Sequence, residues 1–454
     1  MVMRIGIVGW GIEGQSAFHY FGPQHDYLIV NEEPRNDFPV QSDKVVVRFI
    51  NQPRQPGITS NVKDLTYLEG LKECDKIVYS PTTIKNLQAV YKDDKDFWNK
   101  ATSALRIFFK EVNTKNIIGV TGTKGKGTTC TLIAKMLEAA GQKVWLGGNI
   151  GKSVFGFLND VQPTDWVVLE LSNFQLYDFP YSPHIAVCLM IAPEHLDWHA
   201  DVDEYAKTKA NIFAHQNKND IAIYLDDDLR VEEIAGLSPG KKISFMGNDG
   251  AHIRADGMIV IGENETEIIQ KTKVRLLGEH NLQNICAALT AFWQVSQNVE
   301  AVKHILTTFK GLEHRLEFVR ELYEVQYYDD SFGTSPETAI VALRSFIQPV
   351  VMILGGSDKG ADYQALAEEI AKRRVRKVIA IGQTGPKIIA ALKKAGFKDV
   401  VVGPKTMPEI VKVAKEVAEA GDVVLLSPAS ASFDLFKDYK DRGNKFNSAV
   451  RALA

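Results

Sequence analysis

Three α/β domains in one chain are what this sequence predicts: a Rossmann-like N-terminal domain, a central P-loop ATPase-like domain on a parallel sheet, and a C-terminal Rossmann-like domain. Three observations carry the prediction. Short β-branched runs alternate with helix-like segments from end to end, the pattern of parallel sheets flanked by helices. Two glycine-rich loops, after "RIGIV" and after "NIIGV", each pass from such a run into a helix. The texture resets near residues 103 and 311, which sets domains at 1–102, 103–311 and 312–454. A chain of 454 residues has room for them.

In the first domain "RIGIVG", "DYLIVN", "KVVVRF" and "CDKIVYSP" read as strands, and a helix opens at Gly14. Gly9, Gly11 and Gly14 spell G-x-G-x-x-G, with acidic residues after the next strand. Alone this fingerprint suggests an NAD-dependent oxidoreductase. That reading leaves the second loop and everything after it unexplained. A glycine turn and a helix N-terminus cradle any diphosphate equally well. The polar, amphipathic "YKDDKDFWNKATSALRIFFKEV" leads out of the domain.

The central domain begins with strand, loop and helix in "NIIGVTGTKGKGTTCTLIAKMLEAAG". "KVWLGG", "WVVLELS", "IAVCLMI" and "DIAIYL" read as buried strands, and "KKISFMG" to "KVRLLG" as a small antiparallel patch. "HNLQNICAALTAFWQV" reads as a helix with one apolar face. After "GLEHRLEFV", "VQYYDDS", "VVMILGG", "KVIAIG", "VVVG" and "DVVLLSP" are the strands of a third α/β run.

Bulk properties exclude several classes. With 45% hydrophobic residues, 24% charged and a net charge of −3, the chain has no bulk nucleic-acid footprint. No apolar stretch approaches the ~18–20 residues of a membrane helix, and the N-terminus lacks a signal-peptide pattern. The expectation is a cytoplasmic monomer acting on small molecules, without nucleic-acid or membrane partners. Cys74, Cys130, Cys188 and Cys286 are far apart, which reads as buried reduced thiols rather than a zinc site or disulfides.

The loop Gly122-Thr123-Lys124-Gly125-Lys126-Gly127-Thr128-Thr129 carries the strongest local chemistry. Its glycines turn backbone N–H groups toward phosphate, the helix adds its dipole, and Lys126 neutralises β and γ charge. The Thr128 hydroxyl is placed to ligate Mg²⁺. Gly127 separates the Gly-Lys pair from the threonine, so the strict P-loop pattern is not met. The loop is read as an ATP site.

With this loop the chain begins to resemble the Mur ligases of peptidoglycan synthesis and their folylpolyglutamate synthase relatives, a resemblance that covers essentially the whole chain. The companions, in order, are "LGGNIG", "LELSNFQL", "APEHLDWH", "EYAKTKANIF", "LLGEHNLQN", "GLEHRLE" and "LLSPASASFDLFKDYKDRGNKF". "LELSNFQL" and the last segment resemble the branch that adds D-glutamate to UDP-N-acetylmuramoyl-L-alanine. The resemblance implies that ATP converts a substrate carboxylate to an acyl phosphate, which an amino-acid amine then attacks. Alternatives within it are the branch that adds L-glutamate and, less well matched because of the complete N-terminal domain, a folate-type ligase.

The resemblance also implies roles. Glu170, ending one strand, and His195, following another, would help hold Mg²⁺, as would Thr128. Read alone, Glu170 is equally a helix cap or ion-pair partner and His195 a satisfied core histidine. Lys209 would be carbamylated and serve a second Mg²⁺, with Lys207 the rival and a solvated lysine the plain reading. Arg315 would reach the γ-phosphate, completing a catalytic set with Lys126. Asn281 and Asn284 resemble nucleotide contacts, or are helix-start caps. Asp330 resembles a ribose ligand, with Asp329 the rival.

On the UDP side stand Gly11, Ile12, Glu13, Asn31, Glu32, Ser80, Asn149, Ser172, Gln175 and His195, and on the amino-acid side Thr334, Lys359, Ser432 and Tyr439. Three departures accompany the resemblance. Phe332 and Gly333 stand where the family has lysine and alanine, which bears on D- versus L-glutamate. Lys124 replaces an asparagine and offers a compensating charge. "SPTTI" lacks the glycine usual after its proline.

Overall fold

The computed structural model describes residues 1–50, 64–196, 198–276 and 278–454. Asp197 and Leu277, each inside a motif quoted above, lie outside the described residues. Two compact units result, one of residues 1–274 and 280–307, the other of 275–279 and 308–454.

The first unit holds two parallel sheets. Strands β1 (Arg4–Val8), β2 (Asp26–Asn31), β3 (Val45–Phe49), β4 (Lys76–Tyr79) and β5 (Ala101–Thr102) lie in the order 3-2-1-4-5. The next six strands are β6 (Ile117–Thr121), β7 (Val144–Gly148), β8 (Trp166–Glu170), β9 (Ile185–Cys188), β10 (Ile221–Leu225) and β11 (Lys241–Phe245), in the order 11-10-9-6-8-7. In each sheet the strand that feeds a glycine loop, β1 or β6, sits where the strand order reverses. A crevice opens at such a switch point beyond the strand C-termini, and ligands bind there.

Three local expectations need correction. "KKISF" is not part of an antiparallel patch: as β11 it pairs parallel with β10 and closes the edge of the second sheet. Lys241 and Lys242 at its start are exposed, and Ile243, Ser244 and Phe245 after them are buried. The antiparallel patch is β12 (Ala251–Ile253), β13 (Met258–Ile261) and β14 (Thr266–Gln270). The first helix opens at Ile12 rather than Gly14. Gly14 instead lies inside it, where an added Cβ would come within 2.0 Å of the Gly9 carbonyl, so the third glycine lets helix and strand approach. Within the polar segment after the first sheet, Ala101–Thr102 is the strand β5, paired with β4.

The apolar cluster beside β1, β2 and β4 includes Leu28, Val30, Ile77, Tyr79 and Phe97. Trp198 from the central segment joins it. Lys85 Nζ lies 4.0 Å from the Trp198 ring centre and donates to the Trp198 carbonyl, which ties the two sheets of this unit together.

The second unit is one mixed sheet, β15 (Glu317–Leu322), β16 (Val325–Asp329), β17 (Val350–Gly355), β18 (Val375–Ile381), β19 (Val400–Val402) and β20 (Val423–Leu426), ordered 15-16-20-17-18-19. Only β15 runs antiparallel. Its two faces are separate apolar cores, Met352 and Leu425 on one and Ile353 and Leu426 on the other, as the period of two demands. Among the described residues no helix is long and apolar enough to cross a membrane.

Candidate active site

A cavity of about 420 Å³ opens at the β1–β4 switch point. Gly11, Ile12, Glu13, Asn31, Glu32 and Ser80 line it from the first sheet's side. Asn149, Ser172 and Gln175 line it from the second sheet's side. Asn31 Oδ1 accepts from the Trp10 N–H at 2.7 Å, which fixes the loop after β1, and Asn86 Nδ2 donates to Glu32 Oε1 at 2.8 Å. Gln175 belongs to a capping box with Ser172 at the start of the helix Asn173–Leu176, and its Nε2 donates to Glu13 Oε1 at 2.8 Å. Burial raises the Glu13 carboxyl above the usual range, with the Gln175 bond pulling the other way. His195 is not among the lining residues. Half-exposed at a φ of 56°, it packs its ring 4.9 Å from that of Phe174, which does line the cavity.

The second glycine loop follows β6. Thr123 pins it: its N–H donates to the Met190 carbonyl, and its hydroxyl accepts from the Ala192 N–H at 2.9 Å and meets Tyr205 Oη at 3.2 Å. Gly125 caps the helix Lys126–Ala139 in the left-handed region at a φ of 88°. A Cβ there would fall 2.1 Å from Asn284 Oδ1. Asn281 and Asn284 are not helix-start caps. Both are buried inside the helix Glu279–Trp293, bonded to each other at 2.9 Å. Gly125→Ala combines left-handed strain with a collision. If the loop holds ATP as the sequence predicts, the ATP dissociation constant is expected to rise roughly 10- to 100-fold, by the ~1–2 kcal/mol of strain and the overlap, with the far-UV spectrum unchanged. Calorimetric titration with ATP measures it.

Two amines converge on this loop. Lys126 Nζ donates to the carbonyls of Gly122 and Thr123, each at 2.9 Å, and Lys209 Nζ to the same Gly122 carbonyl at 3.0 Å. Lys209 is fully buried and Lys207 exposed, so the tyrosine spacing selects the inward-facing lysine and a solvated Lys209 is excluded. Burial, and then the nearby charge of Lys126, hold the Lys209 amine down to about 7. Glu170, the last residue of β8, is 5% exposed and accepts at Oε1 from Asn149 Nδ2 at 2.8 Å. Thr128 is buried in the first turn of the helix, and the neighbouring Thr129 hydroxyl is buried without a hydrogen-bond partner. Carboxylate and hydroxyl are hard oxygen donors, the set that suits Mg²⁺.

In the second unit the C-terminal ends of β16, β20 and β17 gather a further cluster. Asp329 is fully buried and accepts from His314 Nδ1 at 2.7 Å. Asp330, also buried, accepts from the Ser427 hydroxyl at 2.7 Å and the Leu316 N–H at 3.3 Å. Burial still pushes its carboxyl up to about 7. Arg315 lies with its guanidinium carbon 3.7 Å from the Phe332 ring centre. Ser432 is buried, Thr334 and Lys359 are exposed, and Lys359 Nζ stands 5.5 Å from the Phe433 ring centre. The Tyr439 carbonyl accepts from Ser331 Oγ at 2.8 Å.

Sequence reasoning missed the residue that holds this cluster together. Arg442 is fully buried; Nε donates to Ser331 Oγ at 2.9 Å, Nη2 to Ser331 O at 2.8 Å, and Nη1 to Ser430 O at 3.0 Å and Ala431 O at 3.3 Å. Burial lowers its guanidinium to about 10, against the raising fields of Asp329, Asp434 and Asp330. The segment it secures includes Ala429, at a left-handed φ of 56°.

Comparison with known proteins adds an independent finding. The Mur ligase middle domain family matches residues 120–292, and the Mur ligase glutamate ligase domain family matches residues 314–430. The UDP-N-acetylmuramoylalanine–D-glutamate ligase of Acetivibrio thermocellus is 39% identical over 400 residues, 85% of this chain and 84% of that one. Its counterpart in Clostridium kluyveri is 34% identical over 458 residues, 99% of this chain and 97% of that one. The crystal structure of the MurF ligase from Thermotoga maritima in complex with ADP superposes at a TM-score of 0.58 and 17% identity, covering 100% and 96% of the two chains, a likeness of fold.

Proposed function

The chain belongs to the Mur ligase family, an ATP-dependent amide ligase of peptidoglycan synthesis, and from that premise we propose that it joins D-glutamate to UDP-N-acetylmuramoyl-L-alanine. The observation that carries the reading is that one compact unit holds two glycine loops at switch points, and that Glu170, bonded to Asn149 on the first cavity's wall, ends β8 beside β6, the strand that feeds the second loop. In this reading residues 1–102 hold the UDP moiety, 103–311 the ATP, and 312–454 the amino acid.

The alanyl carboxylate attacks the γ-phosphorus and ADP leaves, giving an acyl phosphate. The glutamate amine, having lost a proton, attacks its carbonyl, and inorganic phosphate leaves as the amide forms. No protein nucleophile is required. The protein neutralises charge between two anionic reactants and aligns them. Lys126 and Arg315 do so at the phosphates. Thr128, Glu170 and His195 would hold Mg²⁺, which neutralises charge on the phosphoryl oxygens when bound. The Lys209 amine, neutral in good part near pH 7, is nucleophilic enough to add CO₂, releasing a proton and leaving a carbamate. Lys126 offsets that anion and a second Mg²⁺ would be served by it. Asn281, Asn284 and Asp330 are assigned to the nucleotide. Thr334, Lys359, Ser432 and Tyr439 are assigned to glutamate. We take the working form to be a cytoplasmic monomer.

One assay tests the reading: phosphate release with UDP-N-acetylmuramoyl-L-alanine, ATP, Mg²⁺ and either glutamate isomer. Release with D-glutamate is expected. Release with L-glutamate alone moves the assignment to the L-adding branch, and release with neither removes it.

A further inference from the structure

Three parallel neighbours in the second unit, β20, β17 and β18, end side by side, and the loops that leave them meet at one carboxylate. Asp434, half-buried in the loop after β20, accepts at Oδ2 from the Gln383 N–H of the loop after β18, at 2.9 Å. Its Oδ1 accepts from the Ser357 hydroxyl of the loop after β17, at 3.4 Å. The approach is close enough to dictate sequence: Gly382 has a left-handed φ of 66°, and a Cβ there would fall 2.3 Å from Asp434 Oδ2 and 2.8 Å from the Gly356 Cα. Gln383 passes the tie on, because its Oε1 accepts from the Asp358 N–H at 3.3 Å. The Ser357 N–H donates to the Ala431 carbonyl at 2.8 Å. The two residues before Lys359 are therefore held from two other loops. Lys359 itself is exposed, with Nζ 5.5 Å from the Phe433 ring centre, so its backbone sets where the ammonium starts from.

We infer that Asp434 is a positioning residue for the ligase reaction: its carboxylate fixes the loop that carries Lys359 against the segment that carries Ser432. This rests on the reading of Lys359 and Ser432 as the residues that receive a carboxylate of glutamate. A lysine side chain gives up rotamer freedom when its ammonium is held, and a mobile loop would add backbone entropy to that loss. With the loop fixed beforehand, only the side chain has to be ordered when the amino acid arrives. A carboxylate suits the task because its two oxygens accept from two loops at once, with the strength of charge-assisted bonds. Aspartate is also short, which matches the close approach at Gly382.

The test has two readouts. Without substrate, the Gln383 amide is expected to exchange about tenfold or more faster in Asp434→Ala than in the wild type. In Asp434→Asn it should stay slow, because Oδ1 still accepts from Gln383 while Nδ2 donates to the Ser357 hydroxyl. In the ligase assay Asp434→Ala is expected to raise the glutamate KM about 10-fold at unchanged kcat and ATP KM, the signature of lost ground-state binding. Asp434→Asn should stay within about threefold of the wild type, and Asp434→Ala should add nothing in a Lys359→Ala background. Should Asp434→Ala fail to fold, Asp434→Glu keeps the charge but lengthens the tie, and is expected to raise the glutamate KM about threefold. Equal Gln383 exchange in the wild type and Asp434→Ala overturns the proposal. So does an unchanged glutamate KM in the variant that folds, a parallel rise in ATP KM, or a full effect retained in the Lys359→Ala background. A wild type silent with both glutamate isomers sinks the functional reading and this role together, whereas an active wild type with an unchanged variant KM sinks this role alone.

Discussion

Lys209→Met is expected to stabilise the protein and abolish ligation. The folded chain holds this amine at about 7 against an ordinary value of 10.5, a cost on the order of 5 kcal/mol for a fully buried group. The unfolded chain binds more protons between those two values, so wild-type stability rises with pH from about 7 toward 10.5 and the full cost is felt below 7. A methionine of similar reach bears no such cost. In bicarbonate-free buffer its denaturation midpoint should exceed the wild type's at pH 6.5 by the equivalent of a few kcal/mol, with the margin closing toward pH 9.5. Phosphate release should fall about 100-fold or more. Lys209→Arg should lose activity equally, because a guanidinium has no neutral amine to give CO₂. A variant as active as wild type, or a margin that widens with pH, contradicts this account.

Arg442→Met should destabilise the second unit by about 3–5 kcal/mol. Four hydrogen bonds go at once, and the carbonyls of Ser331 and Ser430 are left buried, at about 1–3 kcal/mol for each unsatisfied group, while that of Ala431 keeps the Ser357 N–H. Hydrogen exchange in β16, β17 and β20 reports the loss directly. Because Arg442 ties the loop after β16 to the loop after β20, the glutamate KM should rise as well. Arg442→Lys keeps the charge but not the fork, and should recover only part of either effect. Unchanged exchange in those strands would mean the bonds are not made in solution.

Much of the fold was legible because period and punctuation are local. "RIGIV" before Gly9, or "NIIGV" before Gly122, announces a strand and a loop within a dozen residues. Edge features were not. "KKISF" is the same strand-like run whether it pairs with β10 or starts an antiparallel patch, and only the contact decides. The burial of Lys209 was half legible, through its spacing from Tyr205, but its depressed amine depends on the completeness of that burial and then on Lys126, far away in the chain. Arg442 was not legible at all. It sits in the polar run "KDYKDRGNKF" among Lys437, Lys440 and Lys445, and its partner Ser331 is 111 residues distant. Nothing nearby distinguishes the one cation that turns inward.

The short reach from β8 into the helix Asn173–Leu176 has a geometric consequence. Glu170, bonded to Asn149 on the cavity wall, and Ser172, on that wall itself, are two residues apart on backbone leaving a strand. Extended chain spans about 3.3 Å per residue, so the two positions are held roughly 7 Å apart. On the proposed assignment this segment sets the spacing between the Mg²⁺ side, at Glu170, and the UDP-substrate side, at Ser172. One inserted residue would turn Ser172 away from the cavity and lengthen that spacing at once.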